Sequence, residues 1–486
     1  MTNANEPYVY ADSAATTPLS PRALEAMMPY LTTKFGNPSG IHRMARETAS
    51  ALDGARNDMA RLLGAANASD IYFTSGGSES DNWILRGAVQ RYRDLYGAAT
   101  PVRIVTSAIE HHAILHCCEA LEREGVQVTH LPVDRQGLVH AEDLEEALTA
   151  NERAAACGIE APGFAAAPGH TTASAGGDAP GLATPPATAL VSIMLANNEV
   201  GTIEPIRELA AVAHAHGAPF HTDAVQAVGH IPVDVQELGI DALSLSAHKF
   251  HGPRGVGALY LRKGFSIPPL ITGGAQERGE RAGTENVAGI VGMVTALEEA
   301  CETLRSDILR ISSLRDELVR HLLGEVEDMA LTGTPIKCTS ADGTKTPCTP
   351  ACDASALPDR NAPVSRATDD GATGEPSGAS DGEALDCSPS IGRLPSIASF
   401  TCDDVDGELL VVLLDRAGVA AATGSACSTG STEPSHVLTA MGIPAQRARG
   451  ALRLSLASDI TAEDVTLLSK RIPACIRKAR LISSIR

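Results

Sequence analysis

The chain is short of positive charge. Its 39 lysines and arginines face 59 aspartates and glutamates, a formal net charge of −20 over 486 residues. A protein that grips nucleic acid or an anionic membrane needs a basic face, so neither is expected as a partner. Lysine is rare: only seven occur, at Lys34, Lys249, Lys263, Lys337, Lys345, Lys470 and Lys478. Chemistry that needs an amine has few candidates. No uninterrupted apolar run reaches the roughly 18 residues of a membrane span. The opening stretch MTNANEPYVYADSAATTPLS lacks the charged-then-apolar pattern of a secretory leader. These absences predict a protein of the cytoplasm. The chain has no internal repeat, and its 11 cysteines, an odd number, form no dense regular framework. Free thiols, metal ligands or a nucleophile are expected rather than structural disulfides.

What is present reads as a soluble globular protein, 43% hydrophobic and 20% charged, long enough for several domains. From about residue 70 to 300, continuous apolar strands alternate with helical stretches. Strands are expected at 70–74 (DIYFT), 102–107, 190–195, 219–222 and 242–246, with helices over 80–92 and 206–216. Continuous rather than alternating strands, separated by helices, predict an α/β fold whose mainly parallel sheet is covered on both faces. Ligands of such sheets bind beyond the carboxyl ends of the strands, where SGGSES, SAIEHH, ANNEVG, TDAVQ and SAHKFHG fall. Two stretches break the pattern. Residues of about 152–187 are Ala, Gly, Pro and Thr, and those of about 334–395 are acidic and rich in Ser, Thr and Pro. Neither holds enough apolar surface to offset its ordering entropy, so both are expected to be flexible insertions.

Three clusters carry chemistry. Lys249 follows a buried strand in SLSAHKFHGPRGVG, where a rigid turn can desolvate the amine and make it nucleophilic. By itself it could be an ordinary surface lysine. FTSGGSESDN runs a strand through Gly76 and Gly77 into a helix start, whose free amides and the Ser78 hydroxyl favour an anion, though such a turn also serves as a plain N-cap. Asp223 ends a strand in HTDAVQ and is either a capping group or the partner of a protonated heterocyclic nitrogen. Together, a Schiff-base lysine, a phosphate turn and a carboxylate at one sheet edge are what pyridoxal phosphate (PLP) requires.

Order and wording then go further. YADSAATTP, FGNPSGIH, FTSGGSESDN, IEHHAIL, ANNEVGTI, HTDAVQAVG, SAHKFHGPRGVGALYLR, GGAQERGERAGTEN, TGSACSTGSTEPSHVL and LRLSL span nearly everything outside the two insertions. They resemble the class V, fold-type I PLP enzymes, and within them the NifS/IscS-type cysteine desulfurases. The resemblance implies a large PLP-binding domain over about 16–300 and a smaller α+β domain from 1–15 and 301–486, with a nucleophile loop at about 423–433. It implies that Lys249 forms the Schiff base and that His111 stacks on the ring and moves protons. Asp223 would pair with the ring nitrogen and Gln226 with the phenolic oxygen. Gly77, Ser78, Ser246 and His248 would hold the phosphate, with Thr284 of the partner subunit, and Asn198 and Arg453 the substrate carboxylate. His112 beside His111 leaves the choice of stacking imidazole to the spacing from Glu110.

Cys427 separates members of the family. It lies among small residues in GSACS, where a loop can be exposed, and the block matches the one carrying the desulfurase nucleophile. Ala422 and Thr423 stand where two serines are common. The expected protein is a homodimeric PLP-dependent desulfurase converting L-cysteine to L-alanine. Sulfur would pass as a Cys427 persulfide to an acceptor protein, such as an Fe–S scaffold or a tRNA-thiolation protein. Rival readings are a selenocysteine lyase or class V transaminase and, from another class, a sulfur-relay or metal-binding protein with a vestigial PLP site. Cys117, Cys118, Cys301, Cys402 and Cys475 are expected in the core. Cys338, Cys348, Cys352 and Cys387 have no paired knuckle spacing, and no metal is expected.

Overall fold

The computed structural model describes residues 7–157, 188–339, 345–347, 392–424 and 434–483. Strand β1 (Val9–Tyr10) leads to helices α1 (Pro21–Thr32) and α2 (Arg43–Leu62), strand β2 (Ile71–Thr74) and helix α3 (Gly77–Tyr96). Then follow β3 (Arg103–Ser107), α4 (His112–Arg123), β4 (Gln127–Leu131), α5 (Ala141–Cys157), β5 (Leu190–Ser192), α6 (Ile206–Ala215) and β6 (Phe220–Asp223). The short α7 (Val235–Leu238), β7 (Ala242–Ser246), β8 (Gly257–Leu261) and the long α8 (Val287–Glu325) come next. The remainder is β9 (Met329–Leu331), β10 (Lys337–Thr339), β11 (Lys345–Pro347), β12 (Ile397–Cys402), α9 (Gly407–Arg416), β13 (Val419–Ala420), α10 (His436–Ala440), α11 (Ala445–Ala448), β14 (Ala451–Ser455) and α12 (Ala462–Ser483).

Seven strands form the main sheet in the order β2-β8-β7-β6-β5-β3-β4. β4, β3, β5, β6 and β7 pair in parallel, and β8 runs antiparallel between β7 and β2. Adjacent residues of each strand serve opposite layers. Ile104, Leu190, Ala242 and Leu259 pack with Trp83, Ile84 and Leu85 of α3 and Cys117, Cys118 and Leu121 of α4. Their neighbours Val105, Val191, Leu243 and Ala258 pack on the other side with Met59 of α2, Leu148 of α5 and Leu209 of α6. That two-sided burial is why the strands are apolar throughout. The match to fold-type I is complete in this respect, and the strand and helix expectations hold to within a few residues.

A second, antiparallel sheet of order β14-β12-β9 lies under α9, α12 and the latter half of α8, with Phe400, Leu413, Leu452 and Ile472 in its core. α8 contributes Met293 and Leu297 to the first core and Leu318 and Leu322 to the second, tying the two together. β1 pairs in parallel with β13, and an isolated Asp12–Ser455 bridge continues it along β14.

The expected insertions are trimmed at their edges. α5 continues to Cys157, so residues 152–157 are helical, while the rest of that stretch lies outside the described residues. In the second, Ile336, Arg393 and Leu394 are buried, and β10 and β11 pair antiparallel. Arg393 donates to the carbonyls of Val200 (2.6 Å) and Thr334 (2.7 Å) and also to Thr332. A composition average across the stretch hides the few core residues at its ends.

Candidate active site

The carboxyl ends of the parallel strands open into a cavity of about 470 Å³. β7 runs out into a single turn, Ala247–Lys249, that carries Lys249 to the cavity wall. Its ammonium Nζ donates to the carbonyls of Ala14 (2.6 Å) and Ala15 (3.0 Å), and the Gln226 amide donates to Ala14 as well, at 3.0 Å. The turn is braced from behind by His230, whose Nε2 donates to the Lys249 carbonyl at 2.8 Å.

Asp223 is the last residue of β6 and is 4% exposed. Its Oδ1 accepts from the Val225 amide at 2.9 Å. Burial raises its pKa, while that amide and the Lys249 ammonium favour the charged form. His111 caps α4, its Nδ1 accepting from the Ala113 amide at 3.1 Å. Burial, then the Lys249 charge, lower its pKa to about 4, so the ring is neutral with its hydrogen on Nε2. His112 lines the cavity too, its ring 6.3 Å from His111 and 4.8 Å from His436.

Opposite stands the glycine turn. Gly76 has φ 150°, a conformation side chains disfavour, and α3 begins without a side-chain cap. A Cβ on Gly77 would come within 2.6 Å of Val225 Cγ2. Ser78, Ser246 and His248 line the same end. His248 contacts the Thr16 hydroxyl at 3.2 Å, and burial with the Lys249 charge lowers its pKa to about 4. Burial opposes ionisation of Glu79 beside the turn, yet hydrogen bonds from Arg281 and the Ser75 amide hold its pKa below the usual value. The Arg281–Glu79 pair, at 2.8 Å, removes a repulsive charge from an anion-binding end.

Arg453, in the middle of β14 and 1% exposed, closes the cavity from the second sheet. Its Nη1 donates to the carbonyls of Asn198 (3.0 Å) and Gly424 (2.8 Å), and its Nη2 to Asp12 Oδ1 (2.8 Å). Its Nε has no partner among the described residues. Asp12 and Glu199 were missed by sequence reasoning. Asp12 is inside the quoted YADSAATTP block, but nothing local to it announces an arginine 441 residues away. Glu199 is buried, which raises its pKa, and accepts from the Ser435 hydroxyl at 2.5 Å.

Thr284 is exposed and is not among the residues lining this chain's cavity. Cys427 lies outside the described residues, as do the side chains of Cys338, Cys348, Cys352 and Cys387. Of the expected core cysteines, Cys117, Cys118, Cys402 and Cys475 are buried, whereas Cys301, within α8, is half-buried. Burial raises the pKa of all five, Cys117 to about 11 and Cys402 to about 12, so none of them is a ready thiolate. Among the described residues, no three His, Cys, Asp or Glu side chains are grouped to hold a metal ion, and no helix is long and apolar enough to cross a membrane.

The aminotransferase class V family model matches residues 9–159, 181–344 and 383–468. The cysteine desulfurase IscS of Dictyoglomus turgidum is 40% identical over 98% of this chain and 96% of its own length. The chain belongs to the NifS/IscS-type cysteine desulfurases of the class V aminotransferase family. A solved NifS-like protein superposes with a TM-score of 0.71 at 31% identity, covering 97% of this chain and 100% of its own. SspA, solved in complex with cysteine, does so with a TM-score of 0.63 at 30% identity, over 92% and 98%. Enzymes of this family depend on PLP. The residues present fit that group: an amine at a rigid turn, a buried carboxylate, a helix start cradled by glycines, and neutral imidazoles between them.

Proposed function

We propose that the chain is a PLP-dependent L-cysteine desulfurase that acts as a homodimer and collects the sulfur on Cys427. The observation that carries this reading is the meeting of Lys249, Asp223, the Gly76–Gly77 turn and Arg453 around one cavity. Lys249 would link the cofactor, Gln226 and Asp223 would hold its ring, and Gly77, Ser78, Ser246 and His248 its phosphate. When bound, PLP withdraws electrons from the substrate Cα and so weakens its bonds.

The chain's own residues then divide the work. Arg453 and Asn198 bind the cysteine carboxylate. The planar guanidinium suits a carboxylate fork, and the substrate shares it with Asp12. Neutral His111, its Nδ1 taken by the Ala113 amide and its hydrogen on Nε2, can give that proton at the substrate and take one back. Cys427 Sγ, as thiolate, forms a bond to the substrate sulfur while the sulfur–carbon bond breaks. The electron pair left on carbon takes up a proton, and alanine leaves. One cysteine becomes one alanine and one persulfide, so no external oxidant is consumed.

Thr284, exposed on this chain, would complete the phosphate cradle of the partner subunit. Exposed Leu31, Phe35, Ile41 and Ile271 offer apolar surface for that contact. The sulfur acceptor would be a protein of Fe–S assembly or tRNA thiolation. A reducing compartment, the cytoplasm, suits five described cysteines that are all free thiols. The test is to incubate the purified protein with L-cysteine and measure alanine and protein-bound persulfide together. Equal amounts in a single turnover support the reading. Pyruvate or a keto-acid requirement would favour a transaminase.

A further inference from the structure

Behind Asp223, on the α3 side of the sheet, lies a polar line in an otherwise apolar layer. Ser192 on β5, His221 and Asp223 on β6 and Ser244 on β7 share that face, because His221 registers with Ser192 and Ala242, and Asp223 with Ser244. Ala242 and Leu190 on the same face pack against Trp83 and Leu85. Asp81, one turn into α3, is aimed at this line and is 1% exposed. Ser244 hydrogen-bonds it, and its Oδ1, 4.0 Å from His221 Nε2, has no hydrogen-bond partner among the described residues. His221, wholly buried, touches Ser192 Oγ with Nδ1 (2.9 Å) and Ser244 Oγ with Nε2 (3.0 Å).

Three carboxyl groups, those of Asp81, Glu110 and Asp223, thus lie buried within one another's field. Three negative charges in that layer cannot coexist with one ammonium, that of Lys249. Asp223 has an amide donor and Lys249 on its side. Glu110 Oε1 accepts from the Ser107 hydroxyl (2.6 Å) and the Met194 amide (3.0 Å). Among the described residues, Asp81 has only Ser244 as a hydrogen-bond partner. We propose that Asp81 carries a proton in the resting enzyme and is a positioning residue for Asp223, fixing the tautomer of His221 through Ser244 and leaving Asp223 the charged member of the group. Burial, then the Asp223 charge, push the Asp81 pKa well up, in keeping with this order.

The surroundings contain little else to compete. His221 and Asp223 face Asp81 from β6, Glu110 and Cys117 from the β3–α4 segment, and Lys249 stands beyond Asp223. On α3 itself Glu79 is paired with Arg281 and Arg86 with Glu124. β2, β5, β7 and β8 contain no charged residue.

The hydrogen-bond chain has two orders. With Asp81 neutral, its O–H donates to Ser244, the Ser244 hydroxyl donates to His221 Nε2, and the hydrogen on Nδ1 donates to Ser192. With Asp81 ionised, every bond reverses and the His221 hydrogen sits on Nε2. The tautomer of His221 therefore reports the proton on Asp81.

The proposal rests on reading Asp223 as the partner of the ring nitrogen, but its first test does not need the cofactor. Nitrogen NMR of the full chain labelled at histidine, with His221→Gln to assign the signal, should give the Nδ1–H tautomer near neutral pH. An Nε2–H tautomer there would overturn the proposal. Asp81→Asn, which stays neutral at every pH, should keep the Nδ1–H tautomer into alkaline solution, where the wild type reverses. In the PLP-loaded protein, the alkaline limb of the cofactor absorbance titration should move down in Asp81→Asn, because the variant lacks the carboxylate whose ionisation in alkali helps hold the cofactor's proton. An unmoved limb would count against the role for Asp223. Failure of the wild type to take up PLP would sink the cofactor reading while leaving the histidine result standing.

Discussion

Lys249 stands one turn beyond β7, whose five residues are all buried, while the two described flanks of Cys427 rest on single polar side chains. Gly424 is tied to the Arg453 guanidinium, and Ser435 to the Glu199 carboxyl. The lysine end is over-determined: sheet register, the His230 bond and the Ala14 and Ala15 carbonyls all position one amine. The thiol end borrows its placement from Arg453 and Glu199, and Arg453 is also the proposed partner of the substrate carboxylate. A change at the lysine end should therefore act locally and completely, whereas a change at the thiol end should grade with how many of those contacts it removes.

Lys249→Ala should have the largest effect, abolishing alanine release and the absorbance of the covalently linked cofactor. PLP retained at its phosphate end would leave the fold and the glycine turn intact. Alanine production at the wild-type rate would break the contrast at its strongest point. Next, Arg453→Lys removes the fork while keeping the charge. Losing a charge-assisted hydrogen bond worth roughly 1.5–3 kcal/mol predicts KM for cysteine up by on the order of 10- to 100-fold. PLP affinity should change far less, and equal losses in both would merge the two ends.

A smaller effect tests the buried acids beside the lysine end. Burial raises the Glu110 pKa from the ordinary 4.5 to about 8, so the folded state favours the protonated form. Its contribution to stability is present in full below about 4.5 and is lost as pH rises through about 8. Glu110→Gln cannot ionise, so its Tm should decline less between those limits than that of the wild type. Parallel Tm–pH curves would rule out the raised pKa.

Smallest of all should be replacing residues 337–391 by a short Gly/Ser turn. Arg393 Nε bonds the Thr334 carbonyl at 2.7 Å, so the ends to be joined already touch. Shortening the loop about tenfold should favour folding by roughly 2 kcal/mol if no strain enters. Desulfuration with a chemical reductant as acceptor should stay within about twofold; a PLP-loaded variant without activity would make the stretch part of the machinery.

Much of the lysine end could be read in the sequence because its elements are local. A buried strand running straight into SAHKFHG, and another into a glycine pair before a helix, put Lys249 and Gly77 at one sheet edge without knowledge of the whole. Helix α3 starting at Gly77 rather than Ser80 is the expected kind of miss, since the glycine start has no side-chain cap. The contacts of the other end were hidden because they join distant segments. Asp12 meets Arg453 only through the pairing of β1 and β14 regions, and Glu199 meets Ser435 across 236 residues. Likewise Asp81, His221 and Ser244 form a line only once strand register is known.

The most direct test is a single turnover of the PLP-loaded protein with L-cysteine, followed by mass analysis of the peptide that contains Cys427, for wild type and Cys427→Ser. The wild-type peptide should gain one sulfur atom for each alanine released. The variant should keep the cofactor absorbance and its response to cysteine while gaining none. Wild-type alanine release by Cys427→Ser, or the sulfur found on another cysteine, would contradict the assignment.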